Sequence, residues 1–219
     1  MELQIGKITM KKILPAILFF GSLWGIIEAT LGWILHLLHF KGTSFLVLPF
    51  AIACMYMAIR RTGTPKAAFG VAIVAAAVKL TNLLPGTVPP YWVINPAVSI
   101  LMEGIAFYLV YRVLLRPASE SLFTWRNFAY GTLIFFAFQL LFCEYRMSIQ
   151  SHMGLNPFVM LQSFESSIAG SFLQGLYRMG LSFGTLYLFK FISEPKLNLQ
   201  AYHSWVLLFI AIVVTHVCI

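Results

Sequence analysis

Seven apolar stretches run through the chain, at about residues 13–38, 44–59, 66–84, 93–115, 127–145, 168–192 and 203–219. A helix rising about 1.5 Å per residue needs roughly 20 apolar residues to cross a bilayer, and each stretch is near that length. The breaks between them hold basic residues, proline and glycine, the residues that stop helices. They are Lys41-Gly42, the run from Arg60 to Lys66, the run Leu84-Pro85-Gly86-Thr87-Val88-Pro89-Pro90, Arg116-Pro117 and Ser193-Glu194-Pro195-Lys196. A longer polar connection runs from about Arg146 to Ser167. The pattern predicts an all-α fold, a polytopic transmembrane helical bundle with six or seven membrane-spanning helices.

Composition excludes the alternatives. Of 219 residues, 60% are hydrophobic and 10% charged, against roughly a quarter charged in a soluble domain. So little charge cannot cover a water-facing surface, and seven crossings leave no room for a second, soluble domain. Residues 1–219 are expected to form a single integral membrane domain.

The formal charge of +8 reads as topology rather than nucleic-acid binding. Lys7, Lys11, Lys12, Arg60, Arg61, Lys66, Arg112, Arg116, Arg126, Lys190 and Lys196 fall on one side of the threading. Only Lys41 and Arg146 fall on the other. Basic residues concentrate in cytoplasmic loops. The expectation is a multi-pass protein of the cytoplasmic membrane, N-terminus inside, with the 85–92 and 146–167 loops outside.

Four charges lie within the spans: Glu28, Lys79, Glu103 and Arg178. Each costs roughly 2.5–3.5 kcal/mol at the membrane centre, so together they would cost on the order of 10 kcal/mol if they faced lipid. They are therefore expected to face one another, or water, in the interior, with Glu28–Arg178 and Lys79–Glu103 as candidate pairs. Threading places most of the other intramembrane polarity in the outer half: Asn82, Asn95, Ser99, Gln139, Glu144, Tyr145 and Gln174. Gln174 and Arg178 are four residues apart, on one helix face. Glu28, Lys79, Asn82, Asn95, Glu103, Gln174 and Arg178 are the expected lining of an outward-facing binding site. Lys79 and Arg178 would take an anionic group, and Glu28 or Glu103 a cationic or hydrogen-donating one.

In the first helix, at 100° per residue, Gly21, Gly25, Glu28, Gly32, His36 and His39 fall within an arc of about 80°. That stripe either packs against another helix or lines the floor of a cavity. The stiff loop Pro85–Trp92, tipped by Tyr91 and Trp92, is a candidate lid. Trp24, Trp33, Trp92, Trp125 and Trp205 are read mostly as an interfacial aromatic belt.

Catalytic signatures are sparse. The chain has no HExxH, GxSxG, Walker A sequence or helix-opening GxGxxG, so it carries no ATP-hydrolysing loop of that type. With no aspartate, carboxylate-rich two-metal sites are excluded. His36, His39, His152, Glu28 and Glu165 lack a diagnostic ligand spacing, and neither a metal nor a cofactor is expected. Cys54, Cys143 and Cys218 lie in apolar runs without paired spacing and read as small core side chains.

The glycine-striped first helix, Gly21-Ser22-Leu23-Trp24-Gly25-Ile26-Ile27-Glu28-Ala29-Thr30-Leu31-Gly32, and the stretch from Asn95 to Gly104 carry a resemblance. With the basic N-terminus and six or so helices in about 200 residues, they resemble the substrate-binding S components of energy-coupling factor (ECF) transporters. Members of that group usually have six helices, one fewer than the segments counted here. The resemblance implies capture of a vitamin, vitamin precursor or similar small polar solute on the outer side. It implies transport partners too, a transmembrane coupling subunit and two ATPases, docked through small residues that here would be Ala16, Gly21 and Gly25. Metal-specific S components carry histidine at position two, where this chain has Glu2.

The reading reached from the sequence is a solute-binding specificity subunit of an ATP-driven importer, without enzyme activity. Two other classes fit the same residues. One is a membrane-embedded enzyme acting on a lipid-linked substrate at the outer interface through Glu28, His36 and His39. The other is a structural subunit in which the buried charges pair permanently and nothing binds.

Overall fold

Every one of the seven apolar stretches forms a helix in the computed structural model of the protein, which describes residues 10–38, 43–86, 89–114, 124–152, 168–191 and 201–217. The helices are α1 (Met10–Leu37), α2 (Thr43–Thr62), α3 (Lys66–Leu80), α4 (Pro90–Val113), α5 (Trp125–His152), α6 (Ile168–Phe191) and α7 (Ala201–Val217). A short 3-10 turn, Thr81–Leu83, prolongs α3. No strand occurs among the described residues. Four helical spans are long and apolar enough to cross a bilayer: Ile13–Leu35, Lys66–Leu83, Pro90–Val113 and Trp125–Ile149. The protein is a membrane-embedded all-α bundle. The apolar part of α7, Tyr202–Val217, is about 24 Å long at 1.5 Å per residue, short of a hydrocarbon core about 30 Å thick.

One boundary differs from the sequence reading in a way that matters. Helix α4 begins at Pro90, with the proline in its first turn, where its fixed φ suits a helix and its missing N–H costs nothing. Tyr91 and Trp92 are thus helical residues rather than the tip of a loop.

The helices close into a ring. In spatial order α1, α2, α6, α5, α4 and α3 each pack on the next, and α3 returns to α1. Contact between α2 and α3 across this ring divides it into a tight three-helix corner and a larger enclosure bounded by α2 to α6. Helix α7 stands outside, on α1, and also touches α3 and the 3-10 turn.

Small residues set the register. A side chain at Gly21 would run into Val74, and one at Gly25 into Val78, so α1 and α3 run parallel with backbones in close approach. Gly104 faces Ala72, while Gly131 faces Met179 and Gly175 faces Thr132 and Phe136. The α3–α4 contact and the antiparallel α5–α6 contact are therefore equally close. The three-helix corner is filled by Ala16, Phe20, Trp24, Ala51, Ile52, Met55, Ala58, Ala68, Val71 and Ala75, all buried. Lipid supplies apolar surroundings as readily as protein does, so dense packing and hydrogen bonds hold such a bundle rather than hydrophobic transfer.

Most helix hydroxyls are satisfied within their own helix. Thr30 donates to the Ile26 carbonyl at 2.8 Å, Thr62 to Ala58 at 2.7 Å, Thr132 to Phe128 at 2.9 Å and Ser182 to Arg178 at 2.8 Å. This is the usual disposition of Ser and Thr in an apolar medium. Ser204 of α7 instead donates to the Pro15 carbonyl of α1 at 2.8 Å, fixing one end of α7 at the start of α1. The other end of α7 reaches the 3-10 turn, so α7 runs parallel to α1. One face of α7, with Ser204, Ala211 and Thr215, is buried; Tyr202, Trp205, Phe209 and Val213 are exposed on the others.

Trp24 departs from the belt assignment. It is 1% exposed at the middle of α1 and fills the core, whereas Trp33, Trp92, Trp125 and Trp205 are exposed near helix ends, as an interfacial belt requires.

Candidate functional site

A polar layer is contributed by α3, α4, α5 and α6 around the larger enclosure and by α1 from the neighbouring three-helix corner. Its centre is an ion pair: Arg178 Nη1 of α6 lies 3.2 Å from Glu103 Oε1 of α4. Both residues are 8% exposed. Neither helix packs extensively on the other, since α5 stands between them in the ring, so the pair bridges the interior. Glu103 also accepts from Ser99 Oγ one turn away, at the long limit of 3.5 Å. The two candidate pairs read from the sequence, Glu28–Arg178 and Lys79–Glu103, are replaced by this one. Helix order around the ring decided it, bringing α6 opposite α4.

On α4 the polar residues recur every four positions, Asn95, Ser99 and Glu103, which lines them along one face. Asn95 lies about 12 Å from Glu103 along the axis, at 1.5 Å per residue. The α3–α4 register, with Ala72 opposite Gly104, brings Asn82 level with Asn95. The α1–α3 register, with Gly25 opposite Val78, brings Glu28 to that same outer level. On α3 the exposed stripe is Phe69, Ile73 and Leu80. Asn82 lies opposite that stripe, and Lys79 is turned about 120° from Ile73. Both face the ring rather than lipid.

Glu28 stays within electrostatic reach of Lys79 and Glu103, yet no ion pair within 4.0 Å reaches it among the described residues. Its carboxylate lies over Gly32, where an added side chain would meet Oε1 at 3.9 Å. Glu28, Lys79, Asn95, Ser99 and Gln174 are partly exposed, while Asn82, Glu103, Gln139 and Arg178 are buried. The layer is thus closed at its inner end by Glu103 and Arg178 and more open toward Glu28 and Lys79.

Several polar atoms here are buried without a hydrogen-bond partner: Asn82 Oδ1, Asn95 Oδ1, Gln139 Oε1, Tyr145 OH and Ser171 Oγ. The α5–α6 register sets Gln139 opposite Ser171. The Gln139 amide nitrogen reaches only the Cys143 sulfur, at 3.7 Å, leaving its carbonyl unmatched. An unmade hydrogen bond at a buried group costs about 1–3 kcal/mol; three more such atoms, Ser22 Oγ, Trp24 Nε1 and Thr215 Oγ1, lie outside the layer on α1 and α7. Sequence reasoning had placed Gln139 and Tyr145 at the outer end of α5 without assigning them to the site. The signal that finds Gln139 is its four-residue stripe with Gly131, Phe135 and Cys143, all buried.

Other expected site residues lie elsewhere. Gln174 sits one turn from Arg178 on α6 but has no polar partner among the described residues. Tyr91 and Trp92 stack edge to face with centroids 6.1 Å apart. Trp92 is 62% exposed and, eleven residues before Glu103, lies on the same face of α4 as Ser99 and Glu103, three turns beyond Glu103. Ala16, Gly21 and Gly25 are all buried. Gly21 and Gly25 are filled by Val74 and Val78 of α3, and Ala16 belongs to the three-helix core. The stripe expected to dock a partner is an internal helix contact instead, because close approach to α3 uses its small residues. His39 and Glu165 lie outside the described residues, as do the side chains of His36 and His152.

No family model matches this sequence, and no curated protein or solved structure matches the chain.

Proposed function

We propose that the protein is a solute-binding subunit of the membrane, the specificity component of an ATP-driven importer, holding a small polar solute such as a vitamin or vitamin precursor in the layer enclosed by the ring. One observation carries this reading: the polar layer is incomplete by itself. Glu28 has no ion-pair partner within 4.0 Å among the described residues, and Asn82, Asn95 and Gln139 present buried carbonyl oxygens with no donor. A purely structural network would be closed, because half-satisfied buried networks cost more than apolar packing. A solute supplying donors and charge closes it.

Orientation follows from the basic residues. With the N-terminus cytoplasmic, Glu28, Asn82 and Asn95 lie toward the outer face, the side from which an importer captures. The chain has no ATP-binding loop of its own, so transport draws on partner ATPases through a membrane coupling subunit. With the small-residue stripe of α1 occupied by α3, that subunit must dock on another face.

The test is purification from native membranes in mild detergent, with mass spectrometry of co-eluting proteins and bound small molecules. Two ATPases and a membrane coupling protein are expected at stoichiometric amounts. A chain that elutes alone and without solute, from membranes containing such ATPases, would overturn the importer reading.

A further inference from the structure

We infer that the α5–α6 pair is a gate over the polar layer: it pivots as one body about the end where α4 passes into α5, and the Glu103–Arg178 ion pair is the latch that holds it closed. Access to the site is what this gate regulates, so its role, though not its motion, rests on the solute-binding reading above.

Close contacts sort the helices of the ring into two groups. Gly21, Gly25 and Gly70 bring α1 and α3 together, and Gly104 brings α4 onto α3. Tyr56 of α2 meets Tyr111 of α4 with ring centroids 6.2 Å apart. Gly131 and Gly175 join α5 to α6, as do the edge-to-face pairs Phe128–Phe183 at 5.6 Å and Phe136–Phe172 at 5.8 Å. None of these contacts joins one group to the other. The α5–α6 pair meets the rest along two seams, α4 against α5 and α2 against α6, both less extensive than the α3–α4 and α5–α6 contacts. Moving one helix within a group means undoing packing at backbone distance; moving the pair as a unit leaves all of that packing in place.

Packing also differs along the length of the pair. Toward the end that joins α4, it gives Phe135, Met179 and Leu186 to the common core, with Phe128, Leu181 and Phe183 packed against them. That end is tied as well. Asn127 Nδ2 donates to the Leu114 carbonyl at 3.1 Å, and the Asn127 amide N–H donates to Thr124 Oγ1 at 3.1 Å.

The opposite end is different. Beyond Phe138 on α5 and before Met179 on α6, the buried residues are Gln139, Cys143, Gly170, Ser171, Gly175 and Arg178, and none is a large hydrophobe. Gln139 Oε1, Tyr145 OH and Ser171 Oγ lie here without hydrogen-bond partners. Dense packing and hydrogen bonds are what hold helices together in lipid, so this is the less firmly held end. Polar atoms that are orphaned while it is shut gain partners once water reaches them, which lowers the cost of opening. Between the two ends Arg178 Nη1 reaches Glu103 Oε1 of α4 at 3.2 Å, a charged contact from the moving body to the fixed one.

The experiment uses the full-length chain in lipid nanodiscs, with Cys54, Cys143 and Cys218 replaced by serine. It measures distances between spin labels on introduced cysteine pairs. Leu84 with Leu141 spans the free end, Val113 with Leu188 spans the pivot end, and Leu141 with Leu188 lies within the pair; all four positions are exposed. Leu141 is about 21 Å from Asn127 at 1.5 Å per residue, so a swing of about 15° moves it about 5 Å. Glu103→Gln and Arg178→Gln should each lengthen the Leu84–Leu141 distance on that scale and leave the other two pairs unchanged. Glu103→Leu with Arg178→Met removes the latch without stranding a charge. It should give the same result, which keeps the test decisive where a single variant folds poorly. A merely structural ion pair would lower Tm in the single variants and leave all three distances in place, which would overturn the gate. So would an equal change in all three, the mark of a loosened bundle. If the Leu84–Leu141 distance lengthens and no ATPase co-purifies, the gate stands without the importer. If the ATPases co-purify and the distance holds, the importer stands without the gate.

Discussion

Glu103 and Arg178 are bonded across the ring at 3.2 Å, and what such a pair contributes depends on what replaces it. Removing one partner leaves a lone charge in an apolar interior, at a cost of about 3–5 kcal/mol, whereas replacing both with apolar side chains of similar volume is often nearly neutral. Glu103→Leu or Arg178→Met alone should therefore lower unfolding free energy in detergent by that amount, and the double variant should regain most of it. Uptake should be lost in all three. The charge-reversed pair, Glu103→Arg with Arg178→Glu, separates the readings further: a staple recovers transport in that variant, and a binding site does not. Glu28 should behave in the opposite way. It has no ion-pair partner among the described residues, so Glu28→Gln should leave thermal unfolding unchanged or raise stability by up to about 2–3 kcal/mol, the cost of a central charge, while abolishing uptake. At this scale the four intramembrane charges were legible in the sequence, because lipid offers them no inexpensive position. Their pairing was not, because it depends on which helix stands opposite which.

Among the elements, the glycines divide into those that touch and those that do not. A methyl at Gly21 would sit 2.5 Å from Val74 Cβ and 2.9 Å from the Val71 carbonyl, and one at Gly175 would sit 2.8 Å from the Thr132 carbonyl. Those atoms belong to packed backbone and stiff β-branched side chains, so the helices must move apart. Gly21→Ala and Gly175→Ala should each cost about 1–3 kcal/mol, the usual range for overpacking a close interface. Gly180 and Gly184 meet nothing within 4 Å, so Gly180→Ala and Gly184→Ala should be neutral or stabilising by up to about 1 kcal/mol through helix propensity alone. Unfolding in a denaturant series, with all four variants in the same detergent, checks both halves. The glycine stripe of α1 was plain in the sequence as a periodicity. That α3 covers it, leaving no open face for a partner, was not, since small residues favour any close neighbour alike. Tyr91 and Trp92 are helical rather than looped for a related reason: Pro90 stops a helix when met from one side and starts one from the other, and α4 starts there.

At the level of the whole molecule, the alternation of basic residues and the alternation of helix directions agree. With one orientation across the membrane, cysteines placed at Lys66 and Arg112, in a variant lacking Cys54, Cys143 and Cys218, should react with an impermeant thiol reagent only from the cytoplasmic side. Cysteines at Leu84 and Arg146 should react only from outside. Labelling of intact cells before and after permeabilisation reads this directly, and the reverse pattern would turn the polar layer toward the cytoplasm and end the importer reading. Helix α7 belongs to this scale as well. It runs parallel to α1, anchored by the Ser204–Pro15 hydrogen bond at 2.8 Å, and stands outside the ring of six. The enclosure is therefore complete without it.

The sequence alone determined what is one-dimensional: seven helices, their breaks, the sign of charge on each side, and the presence of a few charged side chains that must turn inward. All of these follow from energies that act on a segment by itself, the transfer of apolar residues into lipid and the exclusion of charge from it. Only the tertiary structure decided the order of helices around the ring, and with it the Glu103–Arg178 pair, the burial of Trp24, the use of Gly21 and Gly25 against α3, and the burial of the Asn82, Asn95 and Gln139 carbonyl oxygens without donors. The reason is physical. In lipid, helix association is set by close packing and hydrogen bonds between particular surfaces, and apolar faces look alike until a neighbour fills them.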